Sequence, residues 1–502
     1  MAMHAHTLPD DPDALKDIIV RLQGKLDFFE EQLRLSRVKQ FAASTEASPG
    51  QGELFNEAEA AIDTAATQTL DEPCEEIRYT RKKPTRKPLP IDLPREEIVH
   101  DIPDDEKVCA CCQGQLHKMG EERSEQLEYI PATLKVIEHV RPKYSCRTCE
   151  KEQTHMHIVI APMPTSPIPK SIATPSLLSQ IITHKYQYAL PLYRQETLFK
   201  QYGIDLSRKT LSNWVIKCAD LLKPLIDRLK EQLKEQPVIH ADETTVKVIN
   251  DDKHISYMWL YCSGTDGPGD SASHNIVLYD YQPTRAGRCA ADYLSGYTGY
   301  LQVDGYAGYE QTEATLVGCL AHARRKFVEA EKAQQKGKTG KANWAINQLQ
   351  KLYRIEKQLA GKDSDERYRL RQEKAKPILD DFKVWLDKSV QQVVPKSLIG
   401  KAIQYSVNQW DKLVRYLDDE RLSIDNNRAE RAIKPFVIGR KNWMFSNTSN
   451  GANASAVLYS LIETAKANGI EPVKYLTHLL AELPKRKSDD GLDDLLPWAV
   501  NV

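Results

Sequence analysis

Three acidic residues stand out for where they fall as much as for what they are. Asp242 closes the apolar run VIHAD, Asp304 closes GYLQVD, and Glu430 lies inside NNRAERAIK. Hard divalent cations such as Mg2+ or Mn2+ take a few carboxylate oxygens and keep water and substrate phosphate as their remaining ligands. Two such ions, about 3.5–4 Å apart, activate an attacking oxygen and stabilise a leaving one in an in-line displacement. Each acid alone has a plainer account. An aspartate at a strand end is a common turn residue, and Glu430 can pair with Lys434 one turn on. It is their order along the chain that points to a shared site.

A second chemistry is written in cysteine. Cys109/Cys112 and Cys146/Cys149 are two C-x-x-C steps. Each step lets one tight turn offer two thiolates, and two turns complete a closed tetrahedral site, the pattern of structural Zn2+. Cys111 is an alternative ligand, and reduced cysteines without metal are the alternative to zinc. Cys319-Leu-Ala-His322 shows only two ligands, so a buried thiol with a hydrogen-bonded imidazole is its plainer account. Cys74, Cys218, Cys262 and Cys289 are unpaired and read as small apolar residues.

The elements that must position the acids are legible as a change of period. From Pro237 the runs VIHAD, TTVKVI, SYMWLYCS and HNIVLYDY alternate as strands; a helix over 285–294 and the strand GYLQVD follow. Successive strands, a helix and a further strand, with acids on the first strand and on the strand after the helix and a third acid on a later helix, is the layout of a ribonuclease-H-like fold. Asp242 and Asp304 are 62 positions apart, but Asp304 and Glu430 are 126 apart. A helical insertion over 323–420 therefore splits the catalytic domain into halves at 236–322 and 421–470. Asp425 or Asn426 is expected to cap the helix of Glu430. A loop is expected from Gly439 to Gly451, then a helix to Ala467 that stops at Gly469.

Upstream, Leu15, Ile19, Leu22, Leu26, Phe29 and Leu33 step by four and three, the seam of a short coiled coil over 1–42. A helix packed on its own chain is the alternative. Residues 43–90 read as a flexible linker ending in a basic run that includes Arg81, Lys82 and Lys83, and 91–165 holds the cysteine pairs as a zinc-finger-like module. In 166–235 a helix meets Gly203, and Ser207 can cap a second helix carrying Arg208, Lys209 and Asn213. That is the outline of a helix-turn-helix, shared by helical hairpins that never touch DNA. Residues 471–502 form a C-terminal tail. The whole reads as a multidomain α+β chain.

At 502 residues the chain has a net charge of −1, 41% hydrophobic and 28% charged residues. This excludes a uniformly basic nucleic-acid binder, yet phosphate contact needs only local positive potential. The clusters Arg78–Lys87, Arg324-Arg325-Lys326 and Arg440-Lys441 supply it. No stretch suits a membrane span, and the N-terminus is not a secretory signal, so an intracellular protein is expected, with cysteines bound to metal before disulfides.

HADET at 240–244, VDGYAGY at 303–309 and DNNRAERAIKPFVIGRKNWMFSNTSNGANASAVLYSLIETAKANG at 425–469 resemble the signature blocks of the IS66 family of bacterial insertion-sequence transposases. The resemblance covers most of the chain. It implies an acidic-triad (DDE) transposase with Asp242, Asp304 and Glu430 as catalytic metal ligands for two Mg2+ or Mn2+ ions, and a zinc-finger-like module at the cysteine pairs. Gln113 and Glu150 stand where a glycine often follows each pair in the family, which leaves the ligand set open. The implied partners are DNA (element terminal repeats and target), a homodimer or higher oligomer, and small accessory proteins of the same element, in the bacterial cytoplasm at the nucleoid. Asn427 and Lys434, three and four residues from Glu430, are candidate phosphate contacts with Arg440 and Lys441; helix-surface duty is the alternative. A non-catalytic DNA-binding relative is the competing function, against which the three intact acids speak. A nuclease that hydrolyses without joining is a third.

Overall fold

The computed structural model describes residues 134–145, 158–251, 255–264, 274–334, 340–487 and 491–500, with part of 11–33. Cys109, Cys112, Cys146, Cys149, Arg81, Lys82 and Lys83 lie outside them, and so do the zinc and basic-run expectations. The chain divides into two compact units, 71–163 and the remainder. In the first, β1 (Lys143–Ser145) pairs antiparallel with β2 (Ile158–Ile160), and Arg141 Nη1 donates to the Ala161 carbonyl at 2.9 Å.

In the second unit the described residues between 12 and 33 are helical, with Ile19, Leu22, Leu26, Phe29 and Leu33 all exposed. Then come α1 (Pro175–Tyr186), α2 (Leu192–Gln201) and α3 (Arg208–Lys234). Gly203, between α2 and α3, has φ +76°, a conformation cheap only without a Cβ, and the Ser207 hydroxyl accepts the Thr210 N–H to start α3. The apolar face of α3, from Leu211 to Leu233, is buried in the main core.

A five-stranded sheet follows in the order β5-β4-β3-β6-β7. Its strands are β3 (Val238–Val246), β4 (Ser256–Cys262), β5 (Val277–Gln282), β6 (Tyr300–Gln302) and β7 (Thr315–Val317), with α4 (Gly287–Tyr293) crossing from β5 to β6. The β3–β4 and β4–β5 pairs are antiparallel, whereas β3–β6 and β6–β7 are parallel. VIHAD and TTV, expected as separate strands, are one: no turn residue interrupts 238–246, and β4 pairs with it from His240 to Val246.

After β7 a helical block begins: α5 (Leu320–Lys332), α6 (Lys341–Leu359), α7 (Ser364–Leu370), α8 (Lys376–Val390), α9 (Leu398–Asn408) and α10 (Trp410–Val414). It has its own core of Leu320, Phe327, Leu349, Phe382 and Leu386, continuous with Val238 and Val317 on the sheet. Arg371 lies at its centre, fully buried, donating to both Glu356 oxygens and to the carbonyls of Tyr416, Asp419 and Leu422.

The chain returns through α11 (Asn427–Trp443), α12 (Ser449–Ala467) and α13 (Pro472–Glu482). The loop expected over 439–451 shrinks to the few residues between α11 and α12. Gly439 does not stop the helix because it is a packing residue: a Cβ there would collide with the Tyr459 hydroxyl oxygen. The turn falls at Met444, whose φ of 65° ends α11. Helix α12 covers β5: Ser460 Oγ accepts the Tyr279 N–H at 2.8 Å and Thr464 Oγ1 accepts that of Val277 at 3.0 Å. Side-chain hydroxyls thus satisfy backbone groups that would otherwise form an open sheet edge. No helix among the described residues is long and apolar enough to cross a membrane.

Candidate active site

Asp242 lies in the middle of β3 at the edge of burial, and its Oδ1 accepts the Glu243 N–H at 2.8 Å. Asp304 follows the end of β6 on the parallel neighbour, where its Oδ1 accepts the Tyr306 N–H at 2.8 Å. Each carboxylate therefore accepts a nearby backbone N–H through one oxygen. Glu430 is on the first turn of α11, 3% exposed.

Proximity shows in the electrostatics. Burial, then the carboxylates of Glu243, Asp304 and Glu430, push Asp242 well above the ordinary carboxylate range, against the Glu243 N–H that lowers it. Burial raises Glu430 to about 7; Asp425 and Asp304 add to the rise and Arg325 opposes it. Carboxyl groups that repel one another's charge in a dehydrated setting are the donor set a hard cation would relieve.

Delivery of Glu430 depends on the residues just before it. Asn426 Nδ2 donates to the Ala241 carbonyl at 2.8 Å, and its Oδ1 meets His240 Nδ1 at 3.1 Å, so the start of α11 is fastened to β3 beside Asp242. Asp425 accepts from the Asn427 backbone N–H and side-chain amide, and from the Tyr353 hydroxyl of α6 at 3.0 Å. The Asn426 N–H donates to Cys319 Sγ at 3.2 Å. The side chain of Asn426 makes no cap to α11; its bonds go to β3 instead. The insertion and the strand together fix where Glu430 stands.

Glu243 and Arg285, which carry no motif of their own in the sequence, also stand near these acids, as do Arg325 and His322. Glu243, its side chain 2% exposed, accepts the Tyr309 hydroxyl at 2.6 Å and an ion pair from Arg285. Burial raises its pKa and those two donors lower it. Arg285 also lies over the Tyr306 ring. Arg325 reaches Glu430 Oε2 at 3.4 Å. His322 Nδ1 is 3.5 Å from Glu430 Oε1, and burial with Arg325 and Lys326 holds the imidazole down near 4, hence neutral. Strand alternation in HADET turns Glu243 to the face of β3 opposite Asp242, where it meets Arg285 and Tyr309. The closeness of Cys319 and His322 to Glu430, across more than a hundred positions, is not legible in the sequence.

The expected DNA-contact residues divide. Arg208, Lys209 and Asn213 are exposed on the first turns of α3, and Lys441 is exposed on α11. Lys434 is half-buried. Asn427 is 4% exposed with its amide committed to Asp425, so its place is inside the fold rather than on the surface. Arg440 donates to the Thr245 carbonyl and to the hydroxyls of Thr244 and Thr245, lying along β3 two residues past Asp242.

Residues 170–454, more than half the chain, match the family described as "Transposase IS66 family". The chain belongs to the IS66 transposase family. Three further matches agree: the zinc-finger binding domain of transposase IS66 over 106–150, the IS66 C-terminal element over 460–498, and "Transposase C of IS166 homeodomain" over 29–98. The zinc-finger match encloses Cys109, Cys112, Cys146 and Cys149. Uncharacterized proteins of Sinorhizobium fredii are similar along nearly their full length: y4hP is 34% identical over 96% of this chain and 88% of its own, and y4jD 31% over 99% and 98%. A third, y4qI, is 32% identical over 84% of this chain and 79% of its own. No solved structure matches. The family makes this an insertion-sequence transposase, a nuclease-type enzyme. Its zinc-finger domain suggests structural zinc, and a DDE transposase implies a divalent metal.

Proposed function

We propose that this IS66 transposase cuts and joins DNA at element ends with divalent ions held by Asp242, Asp304 and Glu430, on a ribonuclease-H-like catalytic domain. The observation that carries the reading is the fastening of α11 to β3 through Asn426, which sets Glu430 among carboxylates already in one another's fields. The sheet order, three antiparallel strands with two more parallel to the first, supports the fold assignment.

The residues fit a pair of hard cations. Asp242 and Asp304 each spend one oxygen on a backbone N–H, and Glu430 Oε1 has no hydrogen-bond partner though buried. Bound Mg2+ or Mn2+ would activate the attacking oxygen and stabilise the leaving one. The protein's part is placement. Asp242 on β3 and Asp304 just past β6 belong to parallel neighbouring strands, α11 carries the third acid, and Arg325 contacts Glu430 Oε2 at 3.4 Å. Exposed Arg208, Lys209, Asn213 and Lys441 are proposed to meet DNA phosphate, Cys109, Cys112, Cys146 and Cys149 to hold zinc, and the N-terminal stripe to pair protomers.

The test is cleavage of end-labelled terminal-repeat DNA in Mg2+ by wild type and by Asp242→Asn, Asp304→Asn and Glu430→Gln. Metal ligands contribute several kcal/mol to the transition state, so each variant should lose on the order of 10²–10⁴-fold in rate while still binding the ends. Near-wild-type cleavage by any one removes that residue from the set.

A further inference from the structure

Among the described residues, Cys319, His322 and Glu430 are drawn together so that a sulfur, an imidazole nitrogen and a carboxylate oxygen all lie within 4.8 Å of one another. Cys319 and Glu430 are buried, and His322 is partly so. Two of the atoms facing each other, His322 Nδ1 and Glu430 Oε1, are buried without a hydrogen-bond partner. A buried polar atom left this way costs about 1–3 kcal/mol, and here two do so 3.5 Å apart. The edge of a tetrahedron of nitrogen and oxygen ligands about 2.0–2.2 Å from a metal is about 3.4 Å. The gap is the size an ion would span.

The local chain suits ligation. Cys319 is the N-cap of α5 and His322 is three residues on, so one helical start offers both donors. Burial, with Asp425 and Glu430 nearby, pushes the free Cys319 thiol up, so a bound ion must displace its proton. The Asn426 N–H already donates to Cys319 Sγ at 3.2 Å, the kind of bond that orients a metal-bound sulfur. Glu430 Oε2 is held by Arg325, leaving Oε1 for the ion. Arg325 Nη1 also approaches His322 Nε2 at 3.4 Å; with metal on Nδ1 the Nε2 carries the proton, and that long contact yields. Drawing the sulfur in asks for a movement of around 1 Å, within reach of a rotamer adjustment.

We propose that Cys319, His322 and Glu430 bind a borderline-soft divalent ion, Zn2+ by preference, in a three-ligand site that is separate from the cysteine pairs and adjoins the proposed hard-cation set, with the Glu430 carboxylate common to both. Thiolate and imidazole select Zn2+ over Mg2+, and three protein ligands leave one position for water. The ion clamps α5, the first helix of the insertion, to α11. The site shares Glu430 with the proposed catalytic set but stands without that reading, because its ligands are judged by metal binding.

The experiment uses the full-length chain with Cys109→Ser and Cys146→Ser to silence the cysteine pairs, titrated with Co2+ as a spectroscopic probe and with Zn2+ by elemental analysis. One equivalent of Co2+ should bind with a thiolate charge-transfer band, and Zn2+ should raise the melting temperature. Loss of a residue that only hydrogen-bonds a ligand weakens metal sites about 10–100-fold, so His322→Ala, which removes a ligand itself, should weaken binding by more than about tenfold. Cys319→Ser should abolish the sulfur band. Asp242→Asn should keep both, which separates this site from the catalytic proposal. The proposal is overturned if the parent shows no thiolate band, or if the band and the binding constant survive in His322→Ala and Cys319→Ser. It is also overturned if Asp242→Asn loses the ion, since the metal would then belong to the acids.

Discussion

At the scale of single residues the protein gathers unfavourable charge at the proposed metal site. Asp242 and Glu430 are both driven toward protonation by burial and by one another's neighbourhood, an arrangement that folding alone does not require. Asp280 shows the same effect away from the site: burial raises it to about 6, with Gln282 and Lys230 opposing. The folded protein holds this proton more tightly than the unfolded chain, so the contribution to stability is full below about 4 and is lost as pH rises through about 6. Asp280→Asn should therefore be more stable than wild type at pH 8, by on the order of 1–3 kcal/mol, and gain nothing at pH 4. Denaturant melts at the two pH values check it, and an equal difference at both would sink the assignment.

At the scale of elements, the acids on strands were legible and their third partner's delivery was not. Period-two runs ending in aspartate mark β3 and β6 because alternation and burial act locally. The fastening of α11 depends on Asn426, Cys319 and Tyr353, whose partners are over seventy to nearly two hundred positions away. Gly439 misled for the same reason: its role is set by Tyr459 across a helix pair, not by its neighbours in sequence. Asn426→Ala removes the bonds to β3 and strands the Ala241 carbonyl, which should cost about 1–3 kcal/mol. Cleavage should fall more than tenfold with end binding intact, measured side by side by single-turnover cleavage and mobility shift. In the insertion, Arg371→Met takes the guanidinium away from Glu356 and from the Tyr416 and Leu422 carbonyls, while the Asp419 carbonyl keeps the Leu422 N–H. Removing one partner of a buried pair costs about 3–5 kcal/mol, so the variant should unfold at markedly lower denaturant.

At the scale of the whole molecule, a helical block with its own core lies in the chain between Asp304 and Glu430, and its Tyr353 bonds Asp425 just before α11. The apolar residues Ile19, Leu22, Leu26, Phe29 and Leu33 remain exposed on the N-terminal helix. About three heptads give only marginal association, so the stripe is expected to assist pairing rather than sustain it alone. Leu22→Lys with Leu26→Lys should leave binding to one isolated end unchanged and reduce paired-end complexes at least tenfold in a native-gel assay. Wild-type pairing by the double variant would assign the stripe to this chain's own surface.

The central claim is that Asp242, Asp304 and Glu430 act as one metal-binding set, and the most direct measurement is single-turnover cleavage of an end-labelled terminal repeat against Mg2+ concentration. Wild type should saturate with Mg2+, and product 3′ ends should join to added target DNA. Asp242→Asn, Asp304→Asn and Glu430→Gln should each stay flat across the titration, with binding to the ends preserved. Saturable Mg2+-dependent cleavage in any of the three, at a rate within tenfold of wild type, would contradict the account.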